Sequence, residues 1–69
     1  MLWNVRSFGH DCLGNISGYI VERYVANQRE IAGTFVGNIY EPGSFGRAKV
    51  KAVMLAAKLN PPVIHQSTD

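Results

Sequence analysis

The sequence predicts an α+β domain, an antiparallel three-stranded sheet with one C-terminal helix packed across it, in the order βββα. Two observations lead there. Three segments rich in β-branched and aromatic residues are separated by glycine-bearing or polar breaks, and the stretch "SFGRAKVKAVMLAAKLNPP" carries the start and stop signals of a helix.

The first segment, "LWNVRSF", places Trp3 and Val5 on one side and Asn4 and Arg6 on the other, the period-two pattern of a half-buried strand. "GHDCLGNISG", Gly9 to Gly18, holds three glycines together with Asp11, Asn15 and Ser17, so it reads as a connecting loop. "YIVERYVA", Tyr19 to Ala26, and "EIAGTFVGNIY", Glu30 to Tyr40, form a hairpin around the polar break "NQR". In the second of these strands Ile31, Phe35 and Ile39 share a face with Gly33 and Gly37. Glycine weakens a strand, and close approach of another element is a reason to keep it there. "EPGS" ends the strand, Ser44 is placed to act as N-cap, and Pro61 and Pro62 stop the helix near Asn60.

At about 100° per residue, Phe45, Ala48, Ala52, Leu55, Ala56 and Leu59 fall in one arc, which is the expected sheet-facing surface. Val50, Val53, Met54 and Ala57 occupy another flank, and Arg47, Lys51 and Lys58 line a basic stripe beside it. One helix on one sheet leaves nothing in the chain to cover Val50, Val53 and Met54. That second flank is therefore the expected interface with a partner or with a second copy in a homodimer, and its methionine suits an adaptable contact.

The 69 residues are read as a single domain, with a core at 2–60 and a tail at 61–69. A core that small leaves a thin margin of stability, and Cys12, the only cysteine, cannot form an internal disulfide, so association is the expected staple. Apolar residues make up 46% of the chain and charged residues 17%, a balance that points to a folded domain and away from a disordered segment. Ala52 to Ala57 is too short an apolar run to span a bilayer, and no basic region precedes an apolar signal core, so a soluble, cytoplasmic protein is expected. The net charge of +2 divides unevenly: Arg47, Lys49, Lys51 and Lys58 give the helix +4, and the remainder carries −2.

"HDC", His10 to Cys12, sets an imidazole, a carboxylate and a thiol side by side. Adjacent side chains diverge, no oxyanion-hole signal accompanies them, and catalysis is not expected. His10, Cys12 and His65 match no metal-ligand spacing, and "GSFGR" lacks the full phosphate-loop pattern, so neither metal nor cofactor is expected. Nucleic acid is the alternative partner, because a three-stranded sheet can lie in a major groove, with Arg6, Arg23 and Arg29 available to contact it. Glu22 and Glu30 in the same hairpin dilute that charge.

The Trp-bearing strand "LWNV", the hairpin "GYIVERYV…REIAGTFVG" and the alanine-rich "AKVKAVMLAAKLNPP" together resemble short accessory proteins encoded by phages and prophages. This chain has lysines where acidic residues usually stand early in that helix. The resemblance implies a non-catalytic protein that binds and blocks a host or defence protein, as small anti-CRISPR proteins do. It carries over no individual functional residue. The expected function is thus inhibition or modulation of a host macromolecule by stoichiometric contact, with Val50, Val53, Met54 and Ala57 at the centre. Arg47, Lys51 and Lys58 would form a basic rim facing an acidic surface.

Overall fold

The computed structural model describes residues 2–61. It has the expected α+β architecture: β1 (Asn4–Phe8), β2 (Gly18–Val25), β3 (Gln28–Val36) and α1 (Ser44–Leu59), with the strands in the order β1-β2-β3 in one open antiparallel sheet. The helix crosses one face of this sheet.

Period-two patterning decides what meets the helix. Val21, on the central strand, is fully buried with Ala52 and Ala56, and Trp3, Val5, Tyr19, Phe35 and Leu55 pack around that nucleus. Trp3 and Val5 therefore take the buried side of the first segment, as the alternation requires. On α1 the buried positions are Ser44, Ala48, Ala52 and Ala56, spaced four apart, with Phe45 and Leu55 half-buried beside them. Leu59, at the far end of the arc, stays 43% exposed.

The glycines of β3 and its extension are where the helix comes closest. A Cβ on Gly33 would sit 2.9 Å from a methyl of Leu55, and one on Gly37 would overlap the Phe45 ring. Both contacts supply the close approach that two glycines on this face called for.

Three sequence expectations are corrected. First, the hairpin turn is Ala26–Asn27 and not "NQR": Val25 pairs with Gln28, and both central residues have positive φ (52° and 64°), which matches the twist of the flanking strands. Second, Ile31, Phe35 and Ile39 do not share a face. Val21 pairs with Gly33 whereas Glu22 pairs with Ile31, so Ala32 is the extra residue of a β-bulge and Ile31 passes to the face away from the helix, 51% exposed. Ile39 lies beyond the strand and is 78% exposed. Third, Ser44 is the first helical residue and not the cap. Gly43, in the left-handed region at φ 84°, precedes it, and Arg47 N–H donates to the Gly43 carbonyl at 3.0 Å. Buried Ser44 instead donates its hydroxyl to the Asn38 carbonyl (2.9 Å) and accepts from the Asn38 N–H, fixing the β3–α1 connection.

The other helix end is fixed by Asn60. Its Nδ2 donates to the Trp3 carbonyl at 3.0 Å and its Oδ1 accepts from the Trp3 N–H at 2.6 Å, so one side-chain amide serves Trp3 as a strand neighbour would.

Two substitutions of the same type separate tight from open glycines. Gly37→Ala should destabilise by about 1–3 kcal/mol, because the Phe45 ring must leave its place. Gly46→Ala, in the first turns of α1 with nothing within 4 Å, should stabilise by about 0.5–1 kcal/mol. Urea denaturation reads both. Replacing Ala26–Asn27 by Asn-Gly should raise the thermal midpoint, since about 1–2 kcal/mol of left-handed strain at alanine is relieved; a scan by circular dichroism measures the shift.

Candidate functional site

The outward side of α1 matches the helical-wheel expectation. Val50 is 56% exposed, Val53 48% and Met54 66%, with Ala57 exposed beside them. Spacings of three, four and seven residues from Val50 make this one contiguous strip. The cations that flank it are largely free: Arg47 Nη2 meets a Glu41 carboxylate oxygen at 3.0 Å on the surface. Lys49, Lys51 and Lys58 have no ion pair among the described residues. No acidic residue stands on the helix itself. The strip is an apolar centre with a basic border.

Arg6, Arg23 and Arg29 are not brought together. Arg6 pairs across the sheet with Ile20, and Arg29 with Tyr24, so both lie on the face away from the helix. There they converge on Glu22 Oε1, Arg6 Nη2 at 3.0 Å and Arg29 Nε and Nη2 at 2.8 Å. Glu22 is 5% exposed although, among the described residues, no second layer covers that face. The two guanidinium groups provide the partners that a buried carboxylate needs. Arg23 belongs to the opposite face: it stacks on the Trp3 ring with its guanidinium carbon 4.4 Å from the centroid, and its Nε donates to Glu30 at 2.6 Å. The strand alternation that puts Arg23 one residue from Glu22 separates it from the other two arginines, and a three-arginine nucleic-acid face is not formed.

The Gly9–Gly18 loop is ordered by Asp11. Its Oδ1 accepts the N–H groups of Leu13 and Asn15, both at 2.9 Å, and its Oδ2 accepts from Asn15 Nδ2 at 3.3 Å. Hydrogen bonding from the Asn15 backbone is the main cause that holds this carboxyl below its ordinary range. His10 Nε2 lies 3.3 Å from Ser7 Oγ and is not bonded to Cys12, which is exposed. Among the described residues no group of three His, Cys, Asp or Glu side chains gathers as metal ligands; His65 lies outside the described residues. The loop also lines a groove with Ile16, Val36, Ile39 and Phe45, an apolar surface the sequence did not single out. Its signal was present only as two isoleucines, Ile16 and Ile39, in glycine-bearing connections.

Among the described residues no helix is long and apolar enough to cross a membrane. No family model, curated protein or solved structure matches this chain.

Glu22→Gln should cost about 1–3 kcal/mol in urea denaturation, because two guanidinium groups lose their shared anion. Glu30→Gln, in an exposed pair, should cost under about 1 kcal/mol. Because the folded pKa of Asp11 is depressed below 3.8, its carboxylate contribution is complete above that value and is lost as pH falls through the lower folded pKa. Acid titration by NMR should move the Leu13 and Asn15 amide signals together with a midpoint below 3.8, and Asp11→Asn should abolish that transition.

Proposed function

We propose that this is a small non-catalytic binding protein, encoded by a phage or another mobile element. On this reading it inhibits or modulates a host protein or defence complex in the host cytoplasm by stoichiometric contact. The observation that carries this reading is the exposed strip Val50, Val53, Met54 and Ala57 bordered by lysines that have no ion pair among the described residues, on a helix without acidic residues. The phage origin rests on the sequence resemblance alone.

A protein–protein contact of ordinary size needs about 800 Å² from each partner. A sixteen-residue helix with its apolar strip and basic border provides a large part of that area. The border favours an acidic partner through faster encounter and through repulsion of basic surfaces. Self-association through the same strip is the competing use of it. Bringing two such helices together sets +4 against +4, which weighs against a homodimer at low salt.

Direct DNA binding through the sheet has less support, because Arg6 and Arg29 are already engaged with Glu22 and Arg23 lies on the other face.

Val53→Asp leaves the buried arc untouched and should preserve the fold. A host protein retained in equimolar amount by the wild type should be lost with Val53→Asp, and the reading fails if retention is unchanged. Light scattering during size exclusion should give a monomer mass at all concentrations. A dimer that persists on dilution and is lost with Met54→Asp would assign the strip to self-association. A duplex mobility shift that survives Val53→Asp and vanishes with Arg6→Ala and Arg29→Ala would favour the nucleic-acid reading.

A further inference from the structure

We propose that the open edge of β3, together with Arg47 and Lys51 beside it, is a site for strand addition by an acidic, extended peptide segment. This surface shares Arg47 and Lys51 with the border of the apolar strip on α1 but uses none of Val50, Val53, Met54 and Ala57.

Among the described residues β3 is the longest strand, nine residues, and it lies at the edge of the sheet, so every second residue turns its N–H and C=O away from β2 with no strand of those residues to receive them. The other edge, β1, has five residues. The devices that blunt an edge are confined to the first part of β3, where Arg29 and Glu30 carry charge and the bulge lies at Ala32. Thr34 to Val36, beyond the bulge, is regular strand with an open edge.

The rotation of α1 turns Arg47 and Lys51 toward this edge, while Lys49, about 20° from Asn60 in direction, turns toward the β1 side. Asn60 bonds to Trp3, so its direction marks the β1 side of the helix; Ser44 bonds to Asn38 and Leu55 meets Gly33, so theirs mark the β3 side. At about 100° per residue, Lys51 falls between Ser44 and Arg47 in direction, within roughly 40° of Leu55, and Lys58 falls close to Lys51. The stripe Arg47, Lys51, Lys58 therefore runs down the β3 side. Thr34, Val36 and Asn38 form one wall of the groove there, and Ser44, Arg47 and Lys51 the other. Arg47 and Lys51 are separated by about 6 Å along the helix axis, close to the roughly 6.7 Å between alternate residues of an extended chain. Carboxylates at alternating positions of an added strand would meet both cations while its backbone completes the β3 ladder. The exposed Glu41 pair on Arg47 is weak enough to be exchanged.

The same charges exclude a second copy as the occupant. Two β3 edges joined antiparallel about a twofold axis would put both helices on one face of the joined sheet. Their Lys51 side chains would then oppose each other across the junction, and Glu41, the one acid among the described residues lining that groove, is already paired with Arg47 of its own chain.

The test uses the intact protein and three labelled peptides of alternating sequence read by fluorescence anisotropy: Glu with Val, Lys with Val, and the Glu peptide N-methylated at every second residue. The Glu peptide should bind saturably. Its affinity should fall by more than about tenfold on N-methylation, in the Lys version, and against Lys51→Glu. The amides of Thr34 and Val36, which point away from β2, should gain hydrogen-exchange protection only with the unmethylated peptide. Val53→Ser should leave this binding unchanged while weakening capture of a target by the helix strip, so either surface can fail alone. Equal binding of the methylated peptide, equal binding of an oligonucleotide of the same charge at the same groove, or no binding at low salt would each overturn the proposal.

Discussion

The close approach of a small-residue helix face to a glycine-bearing sheet is the constraint on which the other features depend. Ala48, Ala52 and Ala56 carry no side chain beyond Cβ, so α1 can lie directly over Val21. Leu55 and Phe45 then occupy the spaces above Gly33 and Gly37. This interlock fixes the rotation of the helix about its axis. With rotation fixed, Asn60 meets Trp3, Ser44 meets Asn38, and the outward-facing residues are determined as a consequence. A larger residue at any of the three alanines would lift the helix and loosen both end contacts together.

Charge is distributed by the same geometry. The acids of the hairpin are matched to its arginines, Glu22 to Arg6 and Arg29 on one face and Glu30 to Arg23 on the other. Little positive field remains on the sheet. Among the described residues the helix has no such partner apart from Glu41, so the excess of cations in the composition becomes a directed field on one side of the molecule. A net charge of +2 understates this local asymmetry, because opposite charges in the hairpin cancel in place and those on α1 do not.

The element order, the helix limits and the exposed strip were legible in the sequence because each rests on a local period: two for Trp3 and Val5, 3.6 for Ala48, Ala52 and Ala56. What was not legible depends on pairing. The extra residue at Ala32 shifts Ile31 to the other face, and nothing in "EIAGTFVG" marks which strand of the hairpin carries a bulge. Ala26 in a left-handed turn is contrary to alanine's own preference and is imposed by strand register. Ser44 looks like a cap from sequence because the competing bond to Asn38 forms only once the chain has turned back. The convergence of Arg6 and Arg29 on Glu22 joins three strands and follows from register alone.

The paired hydrogen bonds between Trp3 and Asn60 also have a topological effect. They bring together positions 57 apart in sequence, so the path into the folded unit and the path out of it share one corner. That corner is at the β1 side and the helix C-terminus, away from the groove between β3 and the start of α1. A carrier chain joined directly before Leu2 and directly after Pro61 would approach from the same direction. The β3 edge and the helix N-terminal half would remain turned outward, as in a module grafted into a host loop.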